Sequence, residues 1–65
     1  MIWIVDREGH VMATYDSVGY PAPEESLERL RATVSDPSHM VVDVAPLGPA
    51  HWIVQDGIPV PKPVL

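Results

Sequence analysis

Three prolines spaced two apart, Pro59, Pro61 and Pro63, constrain this chain more than any other feature. They follow an apolar run, Trp52-Ile53-Val54, and an Asp56-Gly57 dipeptide. Asp-Gly between two strand-like runs is a strong signal for a tight β-hairpin. Proline has no N–H, so it is tolerated in a sheet only at an edge. A spacing of two turns all three prolines the same way. The segment from Ile58 therefore pairs with the preceding strand on one side and can accept no ordinary strand on the other. The same proline run stiffens residues 59–65 into an arm, which either blocks its own sheet edge or lies across a neighbour. A spacing of two contains no P-x-x-P, and Pro46-Leu47-Gly48-Pro49 has that spacing without flanking bases, so neither is a polyproline recognition motif.

Sixty-five residues make one domain at most. A chain this short buries about 60% of the surface it exposes when unfolded, and small folds usually need a staple. The sequence has no cysteine, so disulfides and thiolate metal sites are excluded. A hydrophobic content of 46% is too high for intrinsic disorder. Residues 1–58 are expected to form a single small domain, with 59–65 as its proline-rich arm. Association, as a homo-oligomer or within a larger assembly, is then the expected staple.

The formal net charge of −5 argues against nucleic acid and anionic membrane surfaces, both of which select clustered Lys and Arg. No segment approaches the ~20 apolar residues of a membrane span. The opening Met1-Ile2-Trp3-Ile4-Val5-Asp6 has no basic stretch and too short an apolar run for a signal peptide. A cytoplasmic location is expected.

Along the chain, Ile2–Val5 and His10–Tyr15 are strand-like runs around Asp6-Arg7-Glu8-Gly9. Gly9 suits the left-handed position that closes a hairpin loop with a bulge. Residues 16–23 form a connector broken by Gly19, Pro21 and Pro23. Pro23 fits the first position of a helix, with Glu24 and Glu25 at the positive end of its dipole. Leu27, Leu30 and Val34 share one helical face, and Glu25 with Arg29 is spaced for an ion pair. Asp36-Pro37 stops the helix. Met40–Val44 is a third strand, residues 45–50 a loop, His51–Gln55 a fourth strand, and Ile58 begins a short fifth. The order β-β-α-β-β implies an α+β fold: a small, mostly antiparallel sheet with one helix on one face.

One helix covers one face of a sheet, yet the first strand is apolar on both: Ile2 and Ile4 on one, Trp3 and Val5 on the other. The uncovered face is expected either to associate with a partner or to be covered by the chain's own loops and tail. Both tryptophans are expected in the core, because each buries on the order of 200 Å². Trp3 would be the exposed one if either were. The residues expected at an interface are Trp3, Val5, Ile53, Pro59, Pro61, Pro63 and Leu65.

Reactive chemistry finds little support. His10, His39 and His51 match no metal-ligand spacing, so no metal and no cofactor is expected. The carboxylates fall mostly at turns, where they accept local backbone N–H bonds. Asp43 interrupts an apolar strand and is expected to face solvent. The serines lack a nucleophile elbow, and the glycines form no phosphate-cradling loop. The chain is not expected to be an enzyme.

The opening strand Ile2-Trp3-Ile4-Val5-Asp6 with its Gly turn, and the close Trp52-Ile53-Val54-Gln55-Asp56-Gly57 with Pro61-Lys62-Pro63, resemble small bacteriophage and prophage tail-region proteins, among them tail-fibre and tail-associated accessory proteins. The residues that carry the resemblance, Trp52, Asp56, Gly57, Lys62 and Pro63, lie in about a quarter of the chain. It implies a non-enzymatic virion component or assembly factor that acts by protein–protein contact. The expected function is thus a self-associating interaction module. The alternative is a small acidic regulator or inhibitor that binds a host enzyme or a basic protein.

Overall fold

A computed structural model describes residues 1–63. The fold is α+β, with one α-helix and five strands paired antiparallel among the described residues. The strands are β1 (Ile2–Val5), β2 (Val11–Tyr15), β3 (Met40–Asp43), β4 (Trp52–Gln55) and β5 (Ile58–Pro61). The helix α1 spans Glu24–Thr33, and a single 3₁₀ turn, Pro49–His51, leads into β4. That turn occupies part of the expected loop and delays the fourth strand by one residue. No helix among the described residues is long and apolar enough to cross a membrane.

The strands form two sheets rather than the single one expected: a three-stranded sheet in the order β2-β1-β3, and the β4–β5 hairpin. Local chemistry sets each turn. In the first hairpin Gly9 takes φ +90 and its N–H donates to Asp6 O at 3.0 Å, while Asp6 N–H donates to His10 O at 3.0 Å. In the second, Asp56 and Gly57 take φ 54 and 78, the two positive values of a two-residue turn. Pro23 precedes the helix and its carbonyl accepts from Ser26 and Leu27, so it caps the first turn instead of entering it. Arg31 pairs with Glu24 at 2.9 Å, two turns away; the expected Glu25–Arg29 bridge is absent among the described residues.

β1 lies at the centre, and all four of its residues are buried. Its Ile2 and Ile4 face the layer that holds α1. Its Trp3 and Val5 pack with Val44 and Val54, joined at the margin by Val11, Val42, Leu47 and Trp52. The β4–β5 hairpin therefore covers the face that the helix leaves open. Of the two expected outcomes for that face, coverage by the chain itself is the one found.

This corrects three of the expected interface residues. Trp3 and Val5 are 0% exposed, and Ile53, on the opposite face of β4, is also buried. None of them is available to a partner. Trp52, not Trp3, is the partly exposed tryptophan. The physical reason is register: β4 lays Val54 and Trp52 over the Trp3 side of β1, and a sequence cannot say which face a remote hairpin will choose. The Trp3 indole N–H is buried and has no hydrogen-bond partner among the described residues.

Candidate functional site

The proline edge behaves as its spacing requires. Ile53 pairs with Val60, and Lys62 N–H donates to His51 O at 3.0 Å, so the even-numbered residues of β5 bond inward. Pro59 and Pro61 sit at the alternating positions, with imide nitrogens and carbonyls turned outward. That edge offers acceptors and no donors, so a further strand cannot complete a ladder on it. Pro59 is half-buried, and Pro61 and Pro63 are exposed. Leu65 lies outside the described residues. The expected arm is thus in part a strand: β5 takes residues 59–61 into the hairpin.

The opposite edge of β4 is closed by the first hairpin, where Val54 N–H donates to Gly9 O at 2.9 Å. In the three-stranded sheet, β3 carries the charged Asp43 and packs against α1. Contrary to expectation, Asp43 does not face solvent: its side chain is 11% exposed. One carboxylate oxygen accepts the Ala22 N–H and ties the 16–23 connector to β3; the other stands 3.8 Å from the Met1 amino nitrogen. Asp43 is therefore a structural tie rather than a reactive group.

β3 and β2 are the two outer edges of the three-stranded sheet, and β3 is the one that carries a charge. Hydrogen-bond alternation shows which groups of β2 are free. Met1 and Val44 exchange both backbone bonds, at 2.9 and 3.1 Å, so they are a bonded pair of the β1–β3 ladder. Two residues on, Trp3 bonds Val42 in the same ladder, and cannot also bond its β2 neighbour Thr14. The N–H and C=O of Thr14 therefore point away from the molecule. β2 contains no charge and no proline along Val11–Tyr15, and Met12, Thr14 and Tyr15 are exposed. Charges and prolines are the usual protection of an edge. The register slip between Ile4 and Val5 disturbs only the start of the strand, and Ala13–Tyr15 run in unbroken register with β1.

A groove runs along this edge, with a volume of about 440 Å³. It is lined by His10 to Thr14, Pro49, Ala50 and Lys62, so its ionisable side chains are both basic. In the connector that follows β2, Val18 (91%) and Tyr20 are exposed as well. No family model, curated protein or solved structure matches this chain. The surface has to be judged on its own chemistry.

The titratable clusters hold turns, and one of them reaches the groove through His10. Asp6 Oδ1 accepts from the His10 and Glu8 backbone N–H groups at 2.8 and 2.9 Å. Its carboxyl is held below the ordinary value, first by the His10 bond, against a smaller opposing effect of partial burial. Asp36 is lowered likewise by the Ser38 backbone and hydroxyl donors. His10 stands 3.5 Å from Asp6 and 3.6 Å from Glu8, and His39 stands 3.6 Å from Asp36. His51 is exposed in the 3₁₀ turn. The three histidines are thus in separate places, and no group of three or more His, Cys, Asp or Glu side chains able to hold a metal occurs among the described residues.

The site that sequence reasoning passed over is Met12, Thr14 and Tyr15. Its signal was present: the run from Val11 to Tyr15 alternates like a half-buried strand but carries none of the Lys, Glu or Pro that guard an edge.

Proposed function

We propose that this chain is a non-catalytic protein–protein interaction module that self-associates, a structural or assembly component of the kind found in phage and prophage tail regions. One observation carries the proposal: an uncharged strand edge with the backbone N–H and C=O of Thr14 turned outward and Met12 and Tyr15 exposed on it. An exposed edge of this composition is a template for another strand. The β5 edge is closed by prolines and the β3 edge carries Asp43, so the β2 edge is the least guarded, and its pairing with itself would give a closed complex.

Light scattering tests the proposal. The expected mass at micromolar concentration is a small multiple of the 7.1 kDa chain. A stable monomer that recovers no partner in a pull-down would remove it. The net charge of −5 supports a second proposal, an acidic regulator that binds a basic protein. Salt separates the two. Binding by charge weakens steeply between low and physiological ionic strength, whereas strand pairing held mainly by backbone bonds and apolar contact weakens far less.

A further inference from the structure

We infer that the partner of β2 is β2 of a second copy, paired antiparallel about a two-fold axis through Thr14. This rests on the self-association proposed above and specifies its surface, register and symmetry. The pairing joins two three-stranded sheets into one continuous sheet of six strands.

The register follows from three features of the edge. Thr14 has both backbone groups turned outward, so on the axis its N–H and C=O reach the same groups of its symmetry mate and close two hydrogen bonds. Thr opposite Thr is itself a favourable cross-strand pair. One residue to either side, Ala13 comes opposite the partner's Tyr15. Both lie on the α1 side of the sheet, because Ala13 pairs with Ile4 and Tyr15 with Ile2. Tyr15 is 44% exposed, and a ring of that size folds over the smallest side chain of the strand. Two residues from the axis, Met12 comes opposite the partner's Asp16.

Charge completes the match. The groove beside Met12 is lined by His10 and Lys62. His10 already has Asp6 and Glu8 beside it, while Lys62 makes no ion pair among the described residues. The antiparallel register delivers the exposed Asp16 of each copy to the basic groove of the other. A parallel arrangement would leave that acid at the far end. Pairing through β5 is closed to a second copy, because its outer edge presents proline carbonyls to proline carbonyls.

Size-exclusion chromatography with light scattering, on the full chain and three variants, tests this. Thr14→Pro removes an N–H that makes no bond among the described residues, and Thr14→Lys puts two like charges on the axis. Both are expected to halve the measured mass while far-UV circular dichroism stays as in the parent. Should the proline variant lose its dichroism, the lysine variant carries the measurement. The chain has no cysteine of its own. Paired residues on the axis have Cα atoms about 5.5 Å apart, within disulfide reach. Thr14→Cys is therefore expected to form a covalent dimer under mild oxidation, and Val18→Cys, exposed but far from the axis, is not. A dimer whose mass neither Thr14 variant changes, or a Val18→Cys variant that cross-links as fast as Thr14→Cys, would overturn this pairing and leave self-association standing. A monomeric parent chain would overturn both.

Discussion

Gly9 is the residue on which the two sheets meet. Its φ of +90 lies in the region that side chains avoid, and a Cβ added there would stand 1.9 Å from the Val54 carbonyl oxygen. Gly57 also has positive φ, at +78, but a Cβ there would meet open space. The pair separates two costs. Gly57→Ala meets the conformational penalty alone, about 1–2 kcal/mol. Gly9→Ala meets that penalty and must also push β4 off the first hairpin, breaking the Val54–Gly9 hydrogen bond. Urea unfolding is expected to show Gly9→Ala as the more destabilised by at least about 1 kcal/mol. Equal midpoints for the two variants would mean that the close approach carries no energy.

At the scale of the element, the β4–β5 hairpin shows how proline placement can matter more than proline count. Val60 N–H lies on the bonded side of β5, opposite Ile53, while Pro59 and Pro61 lie on the free side. Replacing Pro59 and Pro61 together by Val restores outward donors without touching an internal bond. The fold is expected to persist, with unchanged near-UV dichroism, while the chain becomes prone to sheet growth detectable as thioflavin binding. Val60→Pro does the reverse: it removes an inward donor and is expected to unfold the hairpin. A Pro59→Val, Pro61→Val protein as soluble as the parent would show that the prolines do not guard the edge. This one-sided logic was legible in the sequence because alternation along a strand is local. So were both hairpin turns, the span of β1 and the position of the helix, each set by residues within a few positions of one another. The division into two sheets was not legible. It depends on which face of β1 the remote Trp52 and Val54 choose, and apolar pattern alone permits either face. The place given to Trp3 among the interface residues failed for the same reason, while its expected place in the core held. Asp43 failed because its partner, the Ala22 N–H, lies 21 residues away.

The whole molecule is three layers thick, helix, three-stranded sheet and hairpin, and the layers are not equally held. β1 is buried throughout, between α1 on one side and the hairpin on the other. The helix has no fully buried residue; Leu27, Leu30 and Val34 are half-buried. A ten-residue helix is marginal alone, so it depends on that shallow contact and on the Glu24–Arg31 pair, which is exposed and worth little. The helix should therefore open without the sheet. For a chain of this size global stability is roughly 3–10 kcal/mol, and local openings span the range below it. Native-state hydrogen exchange is expected to show the Trp3 and Val5 amides exchanging only through global unfolding, with a steep denaturant dependence. The Leu30 and Arg31 amides should exchange through an opening that is lower in free energy and nearly independent of denaturant, because little surface is exposed. Helix and β1 amides merging at a single free energy would mean that α1 is held as firmly as the core, and that Ile2 and Ile4 draw more from the helix than its half-buried residues indicate. If the helix does open alone, the β2 edge stays intact through the event, since β2 is bonded to β1 and not to α1. The surface proposed for pairing would then belong to the most persistent part of the fold.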